Sequence, residues 1–182
     1  MTENRGNLQQ YAMLFGTYMG GFWILKFILF PLGLTVPFLL FLFWGLTICV
    51  PFMAYYYVRM YRNHACGGSI SFFHGWIFTI FMYMFAALLA AVAHYVYFEY
   101  IDQGFVCNTI ENVLNEGIRQ NILPNNSTLT MYKEYINELR SLSSIEICMQ
   151  LMSMNAFYGS LVAILIALFV MKRPPSTPAS AE

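Results

Sequence analysis

Four stretches of this chain are each long enough, coiled as helix, to cross a bilayer, and they carry one formally charged side chain among them, Lys26. A hydrocarbon layer about 30 Å thick takes about 20 apolar residues in helix, because lipid offers no partner for backbone amides. The stretches are Leu8 to Phe30, Leu32 to Val58, His74 to Phe98 and Leu151 to Met171. Composition agrees: 59% of side chains are apolar and 10% charged, against about 45–50% and about 25% in soluble domains. An ordinary soluble domain, a disordered chain and a disulfide-stapled secreted scaffold are excluded. Nine basic residues balance nine acidic ones, so no nucleic-acid partner is expected from charge.

The expected fold class is an all-α membrane protein, one domain over residues 1–182. Lys and Arg concentrate at one side of the spans (Arg5, Arg59, Arg62, Lys172, Arg173), while residues 99–150 hold most of the acids. The positive-inside bias then places both termini in the cytoplasm of a multi-pass protein. The first apolar stretch is too long for a signal-peptide core and has no Ala-x-Ala exit, so it is expected to stay as an uncleaved span. The tail over 174–182, rich in Pro, Ser, Thr and Ala, is expected to be disordered.

The long acidic segment has its own pattern. Val106, Ile110, Val113, Leu114, Ile118 and Ile122 recur at helical steps, and so do Tyr132, Tyr135, Ile136, Leu139 and Leu142. The Pro-Asn-Asn-Ser-Thr run between them breaks and restarts helix. These residues predict a helical extracytoplasmic hairpin between the third and fourth spans. Its apolar stripes need a cover, which its own two arms, the membrane surface or another chain could supply.

The basic loop and the third span carry Tyr61-Arg62, Gly67-Gly68-Ser69-Ile70-Ser71-Phe72 and Tyr95-Val96-Tyr97-Phe98-Glu99-Tyr100-Ile101-Asp102. Together these motifs resemble an uncharacterised domain-of-unknown-function family of small four-helix inner-membrane proteins of Gram-negative bacteria. The resemblance covers nearly the whole chain. It departs at His64-Ala65-Cys66, where family members more often carry charge. It implies a topology, a bacterial inner membrane and an association with membrane glycosyltransferases, with no activity or cofactor to carry over.

Small residues four apart mark close helix packing in lipid: Gly16 and Gly20, Ala86 and Ala90, Ala87 and Ala91, and Gly159, Ala163 and Ala167. They suit either a dimer interface or packing inside one bundle. Lys26 lies about a turn inside the expected end of the first span and is costly unpaired. Depth matching predicts a structural ion pair with Glu99 or Asp102, a proton or cation site being the other reading. Cys107 and Cys148, both assigned outside the cytoplasm, form a candidate disulfide. Arg59 and Arg62 are candidates for contact with lipid or a cytoplasmic partner.

His94 has no second histidine or carboxylate three or four residues on, so it reads as a packing residue or a proton carrier; His64, Cys66 and His74 are too loosely spaced for a good zinc site. Pro51 is expected to kink the second span. No nucleophile elbow, zincin, P-loop or dinucleotide fingerprint occurs, so no enzyme, cofactor or metal is expected. The expected function is a non-enzymatic accessory or scaffold subunit. It would contact membrane lipids and bind a second copy or another membrane protein, a glycosyltransferase acting on lipid-linked sugar being the partner class the resemblance implies. The alternative is a small transporter or channel-like oligomer using Lys26, Glu99 and His94.

Overall fold

The computed structural model describes residues 3–120 and 127–172. The expected tail, the Arg5 side chain, Arg173 and the hairpin turn at 121–126 lie outside the described residues. The chain is all-helical there: α1 Glu3–Thr35, α2 Pro37–Ala65, α3 Phe72–Tyr97 continuing as a π-helix over Phe98–Asp102, α4 Phe105–Arg119, α5 Ser127–Ser141 and α6 Ser144–Val170. Four apolar segments can span a membrane, Leu8–Thr35, Pro37–Ala65, Phe72–Asp102 and Ser144–Val170, with mean hydropathy from 1.5 to 2.2. The protein is therefore a multi-pass membrane protein.

Several span ends differ from expectation, the second span running on to Ala65 and the third to Asp102. The first helix runs through Pro31 to Thr35 and the second begins at Pro37, leaving Val36 between them. Proline removes one donor, and inside an apolar run that single loss costs less than exposing further backbone to lipid. The fourth span begins at Ser144 instead of Leu151, because the Ser143 amide donates to the Glu146 carboxylate at 2.8 Å and starts the helix there. Pro51 sits inside one continuous α2.

The packing centre is α3, with α1 on one side and α6 on the other. A Cβ at Gly16 would stand 2.7 Å from the Phe85 Cβ and 2.9 Å from the Met82 carbonyl, and one at Gly20 would stand 3.2 Å from the Ala86 carbonyl. The two glycines therefore let α1 lie on the backbone of α3. Opposite, a Cβ at Gly159 would press on Tyr83 at 3.2 Å, and Ala86, Ala90, Ala163 and Ala167 are buried. The structure accordingly spends these small residues inside one chain.

The end carrying the basic loop is locked by polar contacts. Gly67 and Gly68 hold φ of 61° and 84°, the left-handed region that glycine enters without strain, and the Gly68 amide donates to the Arg62 carbonyl at 3.0 Å to close α2. Tyr61 stacks on Phe78 with centroids 3.9 Å apart and its hydroxyl meets His74 Nε2 at 2.9 Å. Ile70 and Lys172 pair through two backbone hydrogen bonds of 3.0 Å. Toward the hairpin end α2 loosens: its buried residues, Ala54, Val58 and Tyr61, all lie in its second half.

Replacing Gly16 with Ala should lower stability by ~1–3 kcal/mol, because backbone as well as a side chain must move. Gly21→Ala, with nothing within 4 Å of the added Cβ, should be neutral or gain up to ~1 kcal/mol from helix propensity. Thermal unfolding of the two variants in mild detergent checks the contrast.

Candidate functional site

The loosening of α2 toward the hairpin end leaves a partly open cavity of about 330 Å³, within the size range of small-molecule sites, about 300–1,000 Å³. From α1 come Trp23, Lys26, Phe27 and Phe30, spaced i, i+3, i+4 and i+7 on one helix face. Phe43 of α2 stands beside Phe30, their centroids 5.6 Å apart. The third span adds Ala90, His94 and Phe98 at steps of four, and α6 adds Ile147, Gln150, Leu151, Met154 and Asn155. Over these sit the two hairpin arms, α4 with Val106, Cys107 and Ile110 and α5 with Tyr135 and Leu139. The apolar stripes read from the sequence thus supply part of a roof over the cavity.

The roof is hung from Asp102. Its two carboxylate oxygens accept from the Gly104 amide at 3.0 Å and the Val106 amide at 3.2 Å, holding the turn from the π-helix into α4. That turn places Gln103 and Gly104 in the left-handed region, φ 45° and 83°. Arg140 of α5 donates to Glu111 and Asn108 of α4, each at 2.8 Å, and clips the arms together.

Lys26 therefore does not pair with Glu99 or Asp102. Asp102 is buried with both oxygens engaged by amides, Glu99 is exposed, and the ion pairs among the described residues are Glu116–Arg119 and Glu111–Arg140. The reason is depth: because α1 continues to Thr35, Lys26 lies nine residues (35 − 26) from its end, about 13 Å below it. At that level it meets His94 across the cavity. Its ammonium lies 5.2 Å from the centroid of the Phe43 ring, a cation–π contact worth ~0.5–2 kcal/mol.

Other polar groups around the cavity also lack partners. Trp23 and His94 are each 7% exposed, and Trp23 Nε1 and His94 Nδ1 have no hydrogen-bond partner. The His94 ring packs edge-on against Phe27 at 4.1 Å. A buried polar group without a partner ordinarily costs ~1–3 kcal/mol, and here two such groups border the cavity that contains the lone ammonium.

Two further expectations are corrected or refined. Cys107 and Cys148 are free thiols; matching depth does not aim two Cβ atoms at each other, which a disulfide requires. Burial pushes the Cys107 thiol above its ordinary range, favouring the protonated form. Arg62 is used within the chain, its Nη1 donating to the Val170 carbonyl at 2.9 Å as a cap on α6, while Arg59 stays exposed. No group of three or more metal-ligating side chains occurs among the described residues. Sequence reading passed over Trp23, Gln150 and Asn155; the signal available was the Trp23-Lys26-Phe27-Phe30 stripe, charged on one helix face amid aromatics.

Fold and cavity define a four-span helical membrane protein with a roofed, mostly apolar chamber toward one membrane face. The chain belongs to the family described as Protein of unknown function (DUF4199), which matches residues 14–172. No curated protein and no solved structure matches the chain.

Removing the ammonium should stabilise the protein: Lys26→Met is expected to gain on the order of 1 kcal/mol, since an unpaired lysine at this depth is unfavourable in lipid. Asp102→Ala should lose ~1–3 kcal/mol by stranding the buried Val106 amide and the partly buried Gly104 amide. Melting temperatures of the purified variants decide, and a destabilised Lys26→Met protein would restore a structural role for the lysine. With both thiols free, electrophoretic mobility should be the same with and without reductant.

Proposed function

We propose that this protein is a non-enzymatic accessory subunit of the bacterial inner membrane that holds an amphiphile in the chamber beneath its hairpin and presents it to a membrane partner. The observation that carries this reading is the chamber itself, an apolar cavity bordered by polar groups that have no partner inside the chain. Structural packing alone would fill such a space, and a lone ammonium among apolar walls adds a cost that packing does not require. An enzyme needs a nucleophile and base, or an acid and base, held within hydrogen-bonding reach. The chamber offers one ammonium, an indole N–H, an imidazole, a thiol, a phenol hydroxyl and two amides among aromatic and aliphatic walls. Burial favours the protonated Cys107 thiol and no hydrogen bond joins it to His94, which leaves a set suited to holding a guest.

A partner acting on lipid-linked sugar would suit a subunit of this kind, since its substrates are themselves amphiphiles. The transporter reading asks Glu99 to act with Lys26 and His94, and Glu99 does not line the chamber. In the proposed orientation both termini and the Arg59 loop face the cytoplasm and the hairpin faces outward, in line with the basic-residue bias.

Extraction of the intact protein in mild detergent, followed by native mass spectrometry, tests the binding role. The wild type should carry close to one small amphiphile per chain, and Ile110→Trp, which fills the chamber from its roof, should cut occupancy severalfold while leaving the melting temperature nearly unchanged. Loss of occupancy only through unfolding, or an empty wild-type protein, would remove the chamber as the working part.

Orientation is checked by replacing the four native cysteines with alanine and Ser180 with cysteine. A membrane-impermeant maleimide added to intact cells should leave Ser180→Cys unlabelled until the cells are opened.

A further inference from the structure

We infer that the chamber is a site for a single-chain amphiphile with an anionic head, the head seated on the Lys26 ammonium and the chain running along the aromatic wall. This inference rests on the chamber being a binding site and adds the charge and shape of what it takes.

The sign of the head follows from the lining. None of the residues around the chamber is acidic, and Lys26 is the lysine or arginine among them. The acids nearest in sequence to this end of the third span are unsuited to neutralise it: Asp102 accepts from the Gly104 and Val106 amides through both oxygens, and Glu99 is exposed outside. An ammonium in an apolar setting without a counter-charge is a poor resting state, and an anionic guest supplies the charge that the fold omits. Trp23 Nε1, nine-tenths buried and unpartnered, belongs to a residue one helical turn from Lys26 and offers a second donor of a kind suited to an oxyanion.

The apolar remainder decides between a free inorganic anion and an amphiphile. A small anion would lose its hydration among Phe27, Phe30, Phe43 and Leu151 with one cation in return, which is unfavourable. An alkyl chain gains from the same walls. The number of chains follows from size: about 330 Å³ lies at the lower end of the small-molecule range, room for part of one chain beside its head and not for a diacyl lipid enclosed whole. A carboxylate, as in a long-chain fatty acid, and a phosphate monoester, as in a single-chain lysolipid, share this chemistry.

The chain contains three tryptophans, and replacing Trp44 and Trp76 with phenylalanine leaves Trp23, at the chamber, as the only tryptophan to be excited selectively over the tyrosines. In dodecyl maltoside micelles, 9,10-dibromostearate should quench Trp23 saturably, and the matching brominated alcohol should do so at least about tenfold more weakly, the difference expected for one charge-assisted contact. Lys26→Met should abolish the preference for the acid while leaving the alcohol's quenching in place, and Lys26→Arg should keep it. Competition by oleate more than by lysophosphatidate identifies the carboxylate, the reverse order identifies the phosphate, and either order supports the inference. Equal competition by uncharged monoolein would overturn it. So would equal quenching by acid and alcohol in the wild type, which overturns the anionic head but leaves a chamber that binds amphiphiles. Quenching that rises linearly with additive and never saturates, for both compounds, removes the chamber as a binding site altogether.

Discussion

The contact on which the rest of the structure depends is the approach of α1 to the backbone of α3 at Gly16 and Gly20. In lipid, helices gain nothing from hiding apolar surface, since the surroundings are as apolar as leucine, and association must come from close van der Waals fit. Glycines one turn apart supply it, because their missing Cβ atoms would collide with Phe85, Met82, Leu89 and Ala86. With α1 locked there, the next two turns of the same helix present Trp23, Lys26, Phe27 and Phe30 toward His94 and Phe98. The chamber thus follows from two glycines, the nearer of which, Gly20, lies three residues before Trp23 and ten before Phe30.

The spans, their number and the helical hairpin were legible because lipid enforces them: an apolar run of bilayer length leaves the backbone few alternatives to helix. The ends of the spans were not equally legible. Pro31 reads as a stop in water, where the chain beyond it can hydrogen-bond to solvent, yet the run from Leu32 to Thr35 has no such recourse and stays helical. That shift of a little more than one turn moved Lys26 deeper and took it away from the carboxylates. Depth arguments for side-chain pairs inherit any error in the helix end from which depth is counted.

Asp102 and Cys107 show a different limit. Both lie at the hairpin end of the bundle, but their partners depend on a π-helical turn and two left-handed residues, Gln103 and Gly104, that no periodicity announces. Insertion of one residue into a helical turn rotates everything that follows by about 100°. Here that rotation turns the Asp102 carboxylate onto backbone amides and lays α4 across the chamber. Sequence patterns could establish that α4 has an apolar face, and only the turn could establish what that face covers.

Stability and binding pull against each other in the chamber in a way that bears on its purpose. The rest of the bundle is closed by economical means: Arg62 caps α6, Tyr61 bridges to His74, Ser143 and Glu146 start the fourth span, and Arg140 ties the hairpin arms. Buried polar atoms without partners also occur away from the chamber, at Trp76 Nε1 and the Tyr83 hydroxyl, but Trp23 Nε1, His94 Nδ1 and the Lys26 ammonium gather around one cavity. A methionine or leucine at position 26 would relieve the least favourable of these without disturbing any contact that holds α1 to α3. Functional sites are where proteins carry local arrangements that lower stability, and the coincidence of all three groups at the mouthward end of α1 argues that the free energy withheld from folding is available to a guest.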